Sequence, residues 1–182
     1  ENARSEADRL NRLVGNLLNM TRIESGAIKL RLESEDIQDV IGTALEQLGS
    51  RVANRKIQVI VPAGFPLVPM DFTLIAQVLV NILENAVKYS PADSAIEVSA
   101  ELLDEKIRLK IADRGAGIPS EDLTRIFDKF YRVQRPENVS GTGLGLSISK
   151  GIVEVHHGTI YASPREGGGT IITIELPLNN TG

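Results

Sequence analysis

The pattern of apolar and polar residues between positions 77 and 89 predicts one helix that is buried over most of its surface. At about 100° per residue, its apolar side chains cover one side, and its polar side chains fall within an arc of about 100° on the other. The side chains of this polar stripe are Gln77, Asn81, Glu84, Asn85 and Lys88. Such a stripe either faces solvent or lines a polar cavity. In a cavity, its amides, carboxylate and ammonium group could hold a metal ion and a phosphate.

Apolar periodicity in the first half of the chain predicts the elements that lead up to this central helix. They are a helix at 5–24, a strand at 28–33, a helix at 37–48, a strand at 57–61, a loop with a short extended segment at 62–69 and the central helix at 72–89. The first helix carries an apolar stripe typical of a helix that packs against another helix. Ser34 and Asp71 are the expected N-caps of the two later helices, because their side-chain oxygens can accept from free N–H groups. Pro91 ends the central helix.

The second half of the chain predicts two hairpins separated by helical segments. Its elements are strands at 95–103 and 106–112, a short helix at 123–127, a helix at 144–156, and strands at 158–163 and 169–176. Ser120 is the expected cap of the short helix, and the glycines at 167–169 form the turn of the closing hairpin. Because helices and hairpins are mixed without regular β-α-β alternation, we predict an α/β (α+β) sandwich with one mixed, mainly antiparallel sheet.

Composition and charge limit the possible function classes. The chain has 182 residues with 42% hydrophobic content, enough for one domain of about 150 residues and an appendage. A net charge of -4 without a basic run excludes a nucleic-acid surface. The sequence has no cysteine for a disulfide or a thiolate metal site, and no apolar run long enough to span a membrane. Because the chain begins inside a predicted helix, we expect it to be a fragment of a longer protein.

Two glycine segments add candidate chemistry to the polar stripe. Asp113 ends a predicted strand and is followed by Gly115 and Gly117, which let the backbone turn and approach a flat ligand. A buried carboxylate there could accept from an exocyclic amine, although an ordinary Asp-Gly turn is the alternative. The second segment places glycines at a helix start, within residues 141–145, where N–H groups and the helix dipole suit phosphate oxygens. Glycine is also common at helix entries without any ligand.

Two common phosphate-binding motifs do not fit the second glycine segment. A dinucleotide fingerprint requires a strand directly before the glycines, whereas a polar loop precedes them here. A P-loop requires Gly-Lys-Ser or Gly-Lys-Thr, whereas this chain has Gly145-Leu-Ser. Both motifs are therefore rejected.

Four segments, taken in order, resemble the sequence boxes of the ATP-binding domain of sensor histidine kinases, a family grouped with gyrase, heat-shock protein 90 and mismatch-repair ATPases. They are residues 81–89 for the N box, 113–117 for the G1 box, 126–130 for the F box and 141–146 for the G2 box. The similarity covers residues 28–178. Residues 5–25 resemble the second helix of that family's dimerisation and histidine-phosphotransfer domain. The potassium-responsive sensors are the nearest candidate subfamily.

The resemblance implies a fold, a domain division and a location. The fold would be of the Bergerat type, with a mixed sheet covered on one face by helices and preceded by one long packing helix. Residues 1–26 would belong to an incomplete dimerisation and phosphotransfer domain, and residues 27–182 would form the ATP-binding catalytic domain. The fragment would be cytoplasmic, as part of a membrane-bound sensor.

The resemblance also implies roles for individual residues. Asn85 would coordinate the Mg²⁺ between the phosphates of ATP with Asn81 in support, and Lys88 would meet a phosphate oxygen. Asp113 would accept from the adenine N6 amine, and a lid at residues 131–142, anchored by two phenylalanines, would close over the nucleotide. The other implied nucleotide contacts are Tyr89, Gly115, Gly117, Ile118, Phe127, Phe130, Gly141, Thr142, Gly143, Leu144, Gly145, Leu146 and Thr170.

Position 81 distinguishes the branches of the family. Hydrolysing relatives carry a glutamate there that activates water, whereas Asn81 cannot accept a proton, so slow hydrolysis is expected. The γ-phosphate would instead go to a histidine on a phosphotransfer helix missing from this chain, and then to an aspartate of a response-regulator receiver domain. His156 and His157 do not match the family's acceptor, and we interpret them as helix-terminal residues favoured by the dipole. The expected partners are the phosphotransfer helix, a homodimer partner and the receiver domain.

We therefore predict the ATP-binding catalytic domain of a two-component sensor histidine kinase, an enzyme that requires ATP and Mg²⁺ and that cannot autophosphorylate as this fragment alone. A nucleotide-gated interaction module without phosphotransfer is the alternative. An ATPase of the gyrase or chaperone branch is disfavoured by Asn81.

Overall fold

The computed structural model describes residues 14–15, 18, 20–23, 25–133 and 142–179. Most of the helix predicted at 5–24 lies outside these residues, but the described positions between 14 and 23 are helical. Met20 and Ile23 pack against the hydrophobic core that later residues of the chain form. In the part of the chain that the structure describes, no helix is both long and apolar enough to cross a bilayer.

Two sheets and three helices lie within residues 25–133 and 142–179. The elements are β1 (Glu33–Glu35), α1 (Ile37–Leu48), β2 (Ile57–Ile60), β3 (Val68–Met70), α2 (Phe72–Tyr89), β4 (Ile96–Leu102), β5 (Lys106–Ala112), α3 (Gly145–Val155), β6 (Thr159–Pro164) and β7 (Thr170–Pro177). Single 3-10 turns lie at Gly49–Arg51 and Arg125–Phe127. The main sheet has the order β2-β4-β5-β7-β6 and is antiparallel except for the parallel pair β2 and β4. The predicted mixed, mainly antiparallel sheet is confirmed.

The two faces of the main sheet differ in polarity. On β4, buried Ile96, Val98 and Ala100 alternate with more exposed polar residues, as expected for a strand with one face in the core. All three helices pack against one another or against this apolar face. On the opposite face, Glu175 forms ion pairs with Lys106 and Arg108. The hydrogen bonds that Lys106 and Arg108 donate to the Glu175 carboxylate, above all the one from Lys106, lower the pKa of this carboxyl group. The prediction of a sheet covered on one face is confirmed.

Two of the predicted helix caps are wrong. The first strand lies at Glu33–Glu35 instead of 28–33, and Ser34 is inside it, paired with Pro69. Asp36 is the N-cap of α1, because its carboxylate accepts from the Gln38 N–H at 2.8 Å. Ser120 caps nothing: the predicted short helix is the single 3-10 turn Arg125–Phe127, which has no side-chain cap. Asp71, by contrast, caps α2 as predicted, accepting from the Leu74 N–H at 3.1 Å.

His156 is helix-terminal as predicted, at the C-cap of α3, but the helix dipole does not stabilise a charged form of it. The side chain is buried, and its Nε2 accepts from the Asp71 N–H at 3.0 Å, so the ring proton is on Nδ1, 2.7 Å from the Ile152 carbonyl oxygen. Burial lowers the pKa of His156, because desolvation outweighs the backbone hydrogen bond and the charge of Asp71. A neutral His156 therefore connects the end of α3 to the start of α2. His157 is exposed and has a positive φ of 58°.

This neutral histidine predicts a loss of stability in mild acid. The unfolded chain binds a proton at the ordinary pKa of about 6.5, whereas folded His156 resists protonation to lower pH. The unfolded state therefore holds more protons below about pH 6.5, and the free energy of unfolding should fall as pH falls through that range. Urea unfolding between about pH 8 and about pH 5 measures the slope. His156→Gln should flatten it and His157→Asn should not; equal slopes in all three proteins would contradict the assignment.

Candidate functional site

A cavity of about 740 Å³ opens between α2, the start of α3 and the ends of β5 and β7. Its volume lies within the range of about 300–1,000 Å³ that is typical of small-molecule sites. The paired strand residues Ile111 and Ile172, together with Ile126, supply apolar wall. Polar groups of α2 and of the two glycine segments supply the rest. The cavity thus combines an apolar surface for a flat ligand with polar groups at one end.

The polar stripe of α2 faces this cavity. Asn81, Glu84, Asn85 and Lys88 line it, whereas Gln77 at the other end of the stripe does not. The opposite side of the helix is buried through Ile75, Ala76, Val78, Leu79, Ile82, Leu83 and Ala86. The solvent-facing alternative is thereby excluded for the four stripe residues that line the cavity. Lys88 Nζ also lies 5.0 Å from the centre of the Tyr89 ring, a cation-π distance.

The two asparagines of α2 differ in their contacts. The Asn81 amide nitrogen donates to the Gly145 carbonyl oxygen at 3.2 Å and to Ser149 Oγ at 3.3 Å. Asn85 lines the cavity, and its side chain makes no hydrogen bond with the residues that the structure describes. Asn81 therefore joins α2 to α3, and Asn85 presents an amide to the cavity.

Asp113 is held in the cavity wall by backbone groups. It follows directly after β5 and is only 9% exposed. Its Oδ1 accepts from the Gly115 N–H at 2.6 Å and from the Thr170 N–H at 3.3 Å, and its own N–H donates to the Thr170 carbonyl oxygen at 2.9 Å. The guanidinium of Arg165 donates to the Asp113 carbonyl oxygen at 3.3 Å. These contacts fix a carboxylate at the apolar end of the cavity.

Gly115 is required by a close approach of two backbone segments. A Cβ atom at this position would lie 2.3 Å from the Tyr89 carbonyl oxygen and 2.9 Å from Asp113 Oδ1. The last turn of α2 and the first glycine segment therefore touch directly. Gly117 has a φ of 74°, in the left-handed region that glycine adopts without strain.

Gly115→Ala is expected to lower the free energy of unfolding by about 2–3 kcal/mol, because backbone must move to admit the methyl group. Gly42→Ala is the matched control: Gly42 lies inside α1 with nothing within 4 Å of an added Cβ. That change should raise stability by about 0.5–1 kcal/mol, since alanine favours helix. Urea unfolding of both variants measures the difference. A Gly115→Ala protein as stable as wild type would refute the close approach.

The second glycine segment enters α3 beside the cavity. Gly143 has a φ of 70°, and a Cβ there would lie 2.8 Å from the Phe130 carbonyl carbon. The Phe130 N–H donates to the Gly143 carbonyl oxygen at 3.0 Å. α3 then begins at Gly145 without a side-chain cap, so the N–H groups of its first turn lack that partner. Gly145 and Leu146 both line the cavity. This geometry suits an anion.

Two cationic side chains at the cavity were not predicted from the sequence. Arg51 Nη1 lies 2.9 Å from Glu84 Oε1, and both residues line the cavity. Arg132 lines it too, directly after Tyr131, whose hydroxyl donates to the Asp122 carboxylate. That hydrogen bond is the main cause of the raised pKa of Tyr131. The sequence predicted Glu84 as part of the polar stripe, but no sequence pattern indicated Arg51.

Most of the residues implied by the resemblance lie around this one cavity. Those that line it are Asn81, Asn85, Lys88, Tyr89, Asp113, Gly115, Gly117, Ile118, Thr142, Gly143, Gly145, Leu146 and Thr170. Three others do not line it: Leu144 and Phe127 are buried in the core, and Phe130 is 63% exposed with a φ of 61°. Gly141 and most of the lid expected at 131–142 lie outside the described residues.

Comparison with known proteins identifies the class to which this fold and cavity belong. Residues 70–180 match the family model described as histidine kinase-, DNA gyrase B-, and HSP90-like ATPase. The matched span includes α2, both glycine segments and the last four strands of the main sheet. The chain therefore belongs to this family. Its sheet and helices form the Bergerat fold of histidine kinase catalytic domains.

Individual relatives are sensor proteins and histidine kinases. The chain is 41% identical over 166 residues to sensor protein KdpD of Escherichia coli, a match that covers 91% of this chain and 18% of that protein. The structure of full-length ShkA in complex with AMPPNP is similar with a TM-score of 0.82 and 27% identity, covering 96% of this chain and 37% of ShkA. The structure of the Acinetobacter baumannii histidine kinase AdeS is similar with a TM-score of 0.81 and 29% identity, and the match covers 97% of this chain and 82% of AdeS. The chain thus spans less than a fifth of the length of KdpD.

Proposed function

We propose that this chain is the ATP-binding catalytic part of a two-component sensor histidine kinase, which donates the γ-phosphate of Mg-ATP to a histidine on a phosphotransfer helix. The observation that carries the proposal is the shared cavity: the polar stripe of α2, the Asp113 carboxylate and the start of α3 all face it. Family membership and the AMPPNP complex of the similar ShkA support ATP as the nucleotide. The family's potassium-responsive sensors remain the predicted subfamily.

The adenine ring would occupy the apolar end of the cavity. Ile111, Ile126 and Ile172 offer flat apolar contact, and Asp113 is placed to accept from the exocyclic amine. Gly115 and Gly117 let the backbone approach the ring, with Ile118 and Thr170 beside it. Because the carboxylate only accepts hydrogen bonds, it favours an amine over the carbonyl oxygen that guanine carries at the same place.

The phosphates would occupy the polar end of the cavity. Gly145 and Leu146 bring the first turn of α3, with its N–H groups and the positive end of its dipole, to the cavity wall. Lys88 and Arg132 add two cations to the lining. Both side chains can bind phosphate oxygens, Arg132 through its planar donor fork and Lys88 as a compact charge.

The cavity also fits Mg²⁺ bound together with the nucleotide. Mg²⁺ prefers oxygen ligands and is commonly held by one or two protein groups plus substrate phosphates. No cluster of three His, Cys, Asp or Glu side chains suited to a metal occurs in the described part of the chain. By the family resemblance, the Asn85 amide, which lines the cavity, would hold the ion, with Asn81 in support. When bound, Mg²⁺ would neutralise charge on the phosphates that the reaction rearranges.

Transfer to a histidine is favoured over hydrolysis by residue 81. An amide cannot take a proton from water, and the Asn81 nitrogen is already bound to the Gly145 carbonyl oxygen and Ser149 Oγ. The role left for Asn81 is to orient groups at the metal end of the cavity. Transfer of the γ-phosphate would then require a histidine nucleophile supplied by the phosphotransfer helix.

The amino-terminal part of the chain would be the remainder of the phosphotransfer domain. Residues 1–26 are proposed as that incomplete domain and residues 27–182 as the catalytic domain, divided at the Ser25-Gly26 turn. Met20 and Ile23 pack against the catalytic domain, and Ile23 Cγ2 lies 2.8 Å from where a Cβ of Gly151 would stand. The proposed partners are the full phosphotransfer helix pair, a homodimer partner and a response-regulator receiver domain, all on the cytoplasmic side.

The proposal is tested by supplying the missing histidine. The chain is mixed with a phosphotransfer domain that carries the acceptor histidine, together with Mg²⁺ and γ-labelled ATP. Labelled, acid-labile phosphohistidine on the added domain is expected, and none on this chain. The same domain with its histidine replaced by glutamine is the control. Tight Mg-ATP binding without transfer would favour the nucleotide-gated interaction module, and rapid hydrolysis without the added domain would favour an ATPase.

A further inference from the structure

Ser149 is a buried polar residue that no sequence motif indicated. It lies on α3 with a relative exposure of 0%, among the apolar side chains of Ile148, Ile152 and Val153. Its hydroxyl donates to the Gly145 carbonyl oxygen at 2.9 Å and accepts from the Asn81 amide nitrogen at 3.3 Å. A fully buried hydroxyl with two polar contacts at a helix junction fixes the groups that it touches.

The Gly145 carbonyl oxygen and Ser149 Oγ together determine which way the Asn81 amide faces, because the Ser149 proton is donated to Gly145 and its oxygen is left to accept. The Gly145 carbonyl oxygen can only accept, so the side of the Asn81 amide that faces α3 must be its nitrogen. With Ser149 Oγ as the second acceptor, both N–H bonds of the amide have partners on α3. The Asn81 Oδ1 is consequently on the other side of the amide group. A flipped amide would set two oxygens of like charge, Oδ1 and the Gly145 carbonyl, against each other.

We propose that Ser149 is a positioning residue that holds the Asn81 amide in one orientation and so couples the metal end of the cavity on α2 to the phosphate end on α3. This inference rests on the proposed function. Asn81 and Gly145 both line the cavity, whereas Ser149 does not, so Ser149 acts only through them. Loss of its hydroxyl leaves the Asn81 amide with one acceptor on α3 instead of two, so the amide is held less firmly in its orientation.

The test compares two serines of the same helix. Ser147 Oγ donates to the Leu144 carbonyl oxygen at 2.8 Å and makes no contact with Asn81, which makes Ser147→Ala the matched control for Ser149→Ala. Calorimetry measures the ATP dissociation constant with saturating Mg²⁺ and again in EDTA. Ser149→Ala should weaken the Mg²⁺-dependent affinity by about 5- to 10-fold, the value of one hydrogen bond, with affinity in EDTA unchanged. Ser147→Ala should bind ATP as tightly as wild type does, both with Mg²⁺ and in EDTA.

A double-mutant cycle separates positioning from a general loss of structure. In an Asn81→Ala background, Ser149→Ala should have no further effect on the Mg²⁺ dependence, since the amide that it orients is gone. In wild type, the Asn81 side-chain NH₂ protons should exchange slowly by NMR, a measurement that stands even if Ser149→Ala does not fold. Equal losses with Mg²⁺ and in EDTA, or fast exchange of those protons, would overturn the positioning role. A wild-type chain that binds no ATP would instead refute the proposed function.

Discussion

Asp113→Asn is expected to lower the affinity for Mg-ATP by about 100-fold, because a charge-assisted hydrogen bond to the adenine amine is replaced by a donor facing a donor. The substitution keeps the size of the side chain, and an amide oxygen can still accept from the Gly115 and Thr170 N–H groups that now bind Oδ1. The fold should therefore be retained. The loss of affinity should therefore come from weaker recognition of the adenine base.

The same variant should also narrow the preference for ATP over GTP. Guanine carries a carbonyl oxygen where adenine carries its amine, and an amide N–H₂ at position 113 can donate to that oxygen. Calorimetric titration of both nucleotides measures the change. Asp104→Asn, in the exposed turn between β4 and β5, is the matched control and should bind as wild type does. An ATP affinity of Asp113→Asn within about twofold of wild type would exclude Asp113 from base recognition.

Asn85→Ala is expected to abolish most of the Mg²⁺ dependence of ATP binding. In the proposed site the Asn85 amide would be a protein ligand of the ion, so its loss should weaken the Mg²⁺-dependent affinity by about 100-fold. Phosphotransfer to an added histidine-bearing domain should fall at least as far. Affinity measured in EDTA should change little, because the base and the backbone N–H contacts of α3 are unaltered.

Gln77→Ala supplies the control for Asn85→Ala. Gln77 belongs to the same polar stripe of α2 but lies outside the cavity lining. Its replacement removes an amide from this helix without changing the cavity, and so tests whether the loss of Mg²⁺-dependent affinity depends on position in the cavity. Its Mg²⁺ dependence should equal that of wild type. An Asn85→Ala protein whose ATP affinity still rises with Mg²⁺ as in wild type would remove Asn85 as the metal ligand.

The centre of the site could be predicted because local sequence patterns determine it. The stripe from Asn81 to Lys88 follows from helical periodicity, and Asp71 and Pro91 bound the helix that carries it. Asp113 stands at a strand end and is followed closely by Gly115 and Gly117. Each of these signals lies within a few residues of sequence.

The remaining features depend on contacts between distant segments. Arg51 reaches Glu84 because α1 packs beside α2, a pairing that spans 33 positions and leaves no local pattern. The neutral state of His156 could not be predicted, because the side chain accepts from Asp71, a residue 85 positions away. Ser34 failed as a cap because Asp36, two positions later, has the same chemistry and the right backbone conformation.

Isothermal titration of the wild-type chain with ATP and GTP, each in Mg²⁺, tests the central claim most directly, namely that the α2 stripe, Asp113 and the α3 start form one nucleotide site. We expect one ATP per chain, with GTP bound at least about tenfold more weakly, since the Asp113 carboxylate only accepts hydrogen bonds. No binding of ATP, or equal affinity for the two nucleotides, would contradict the account.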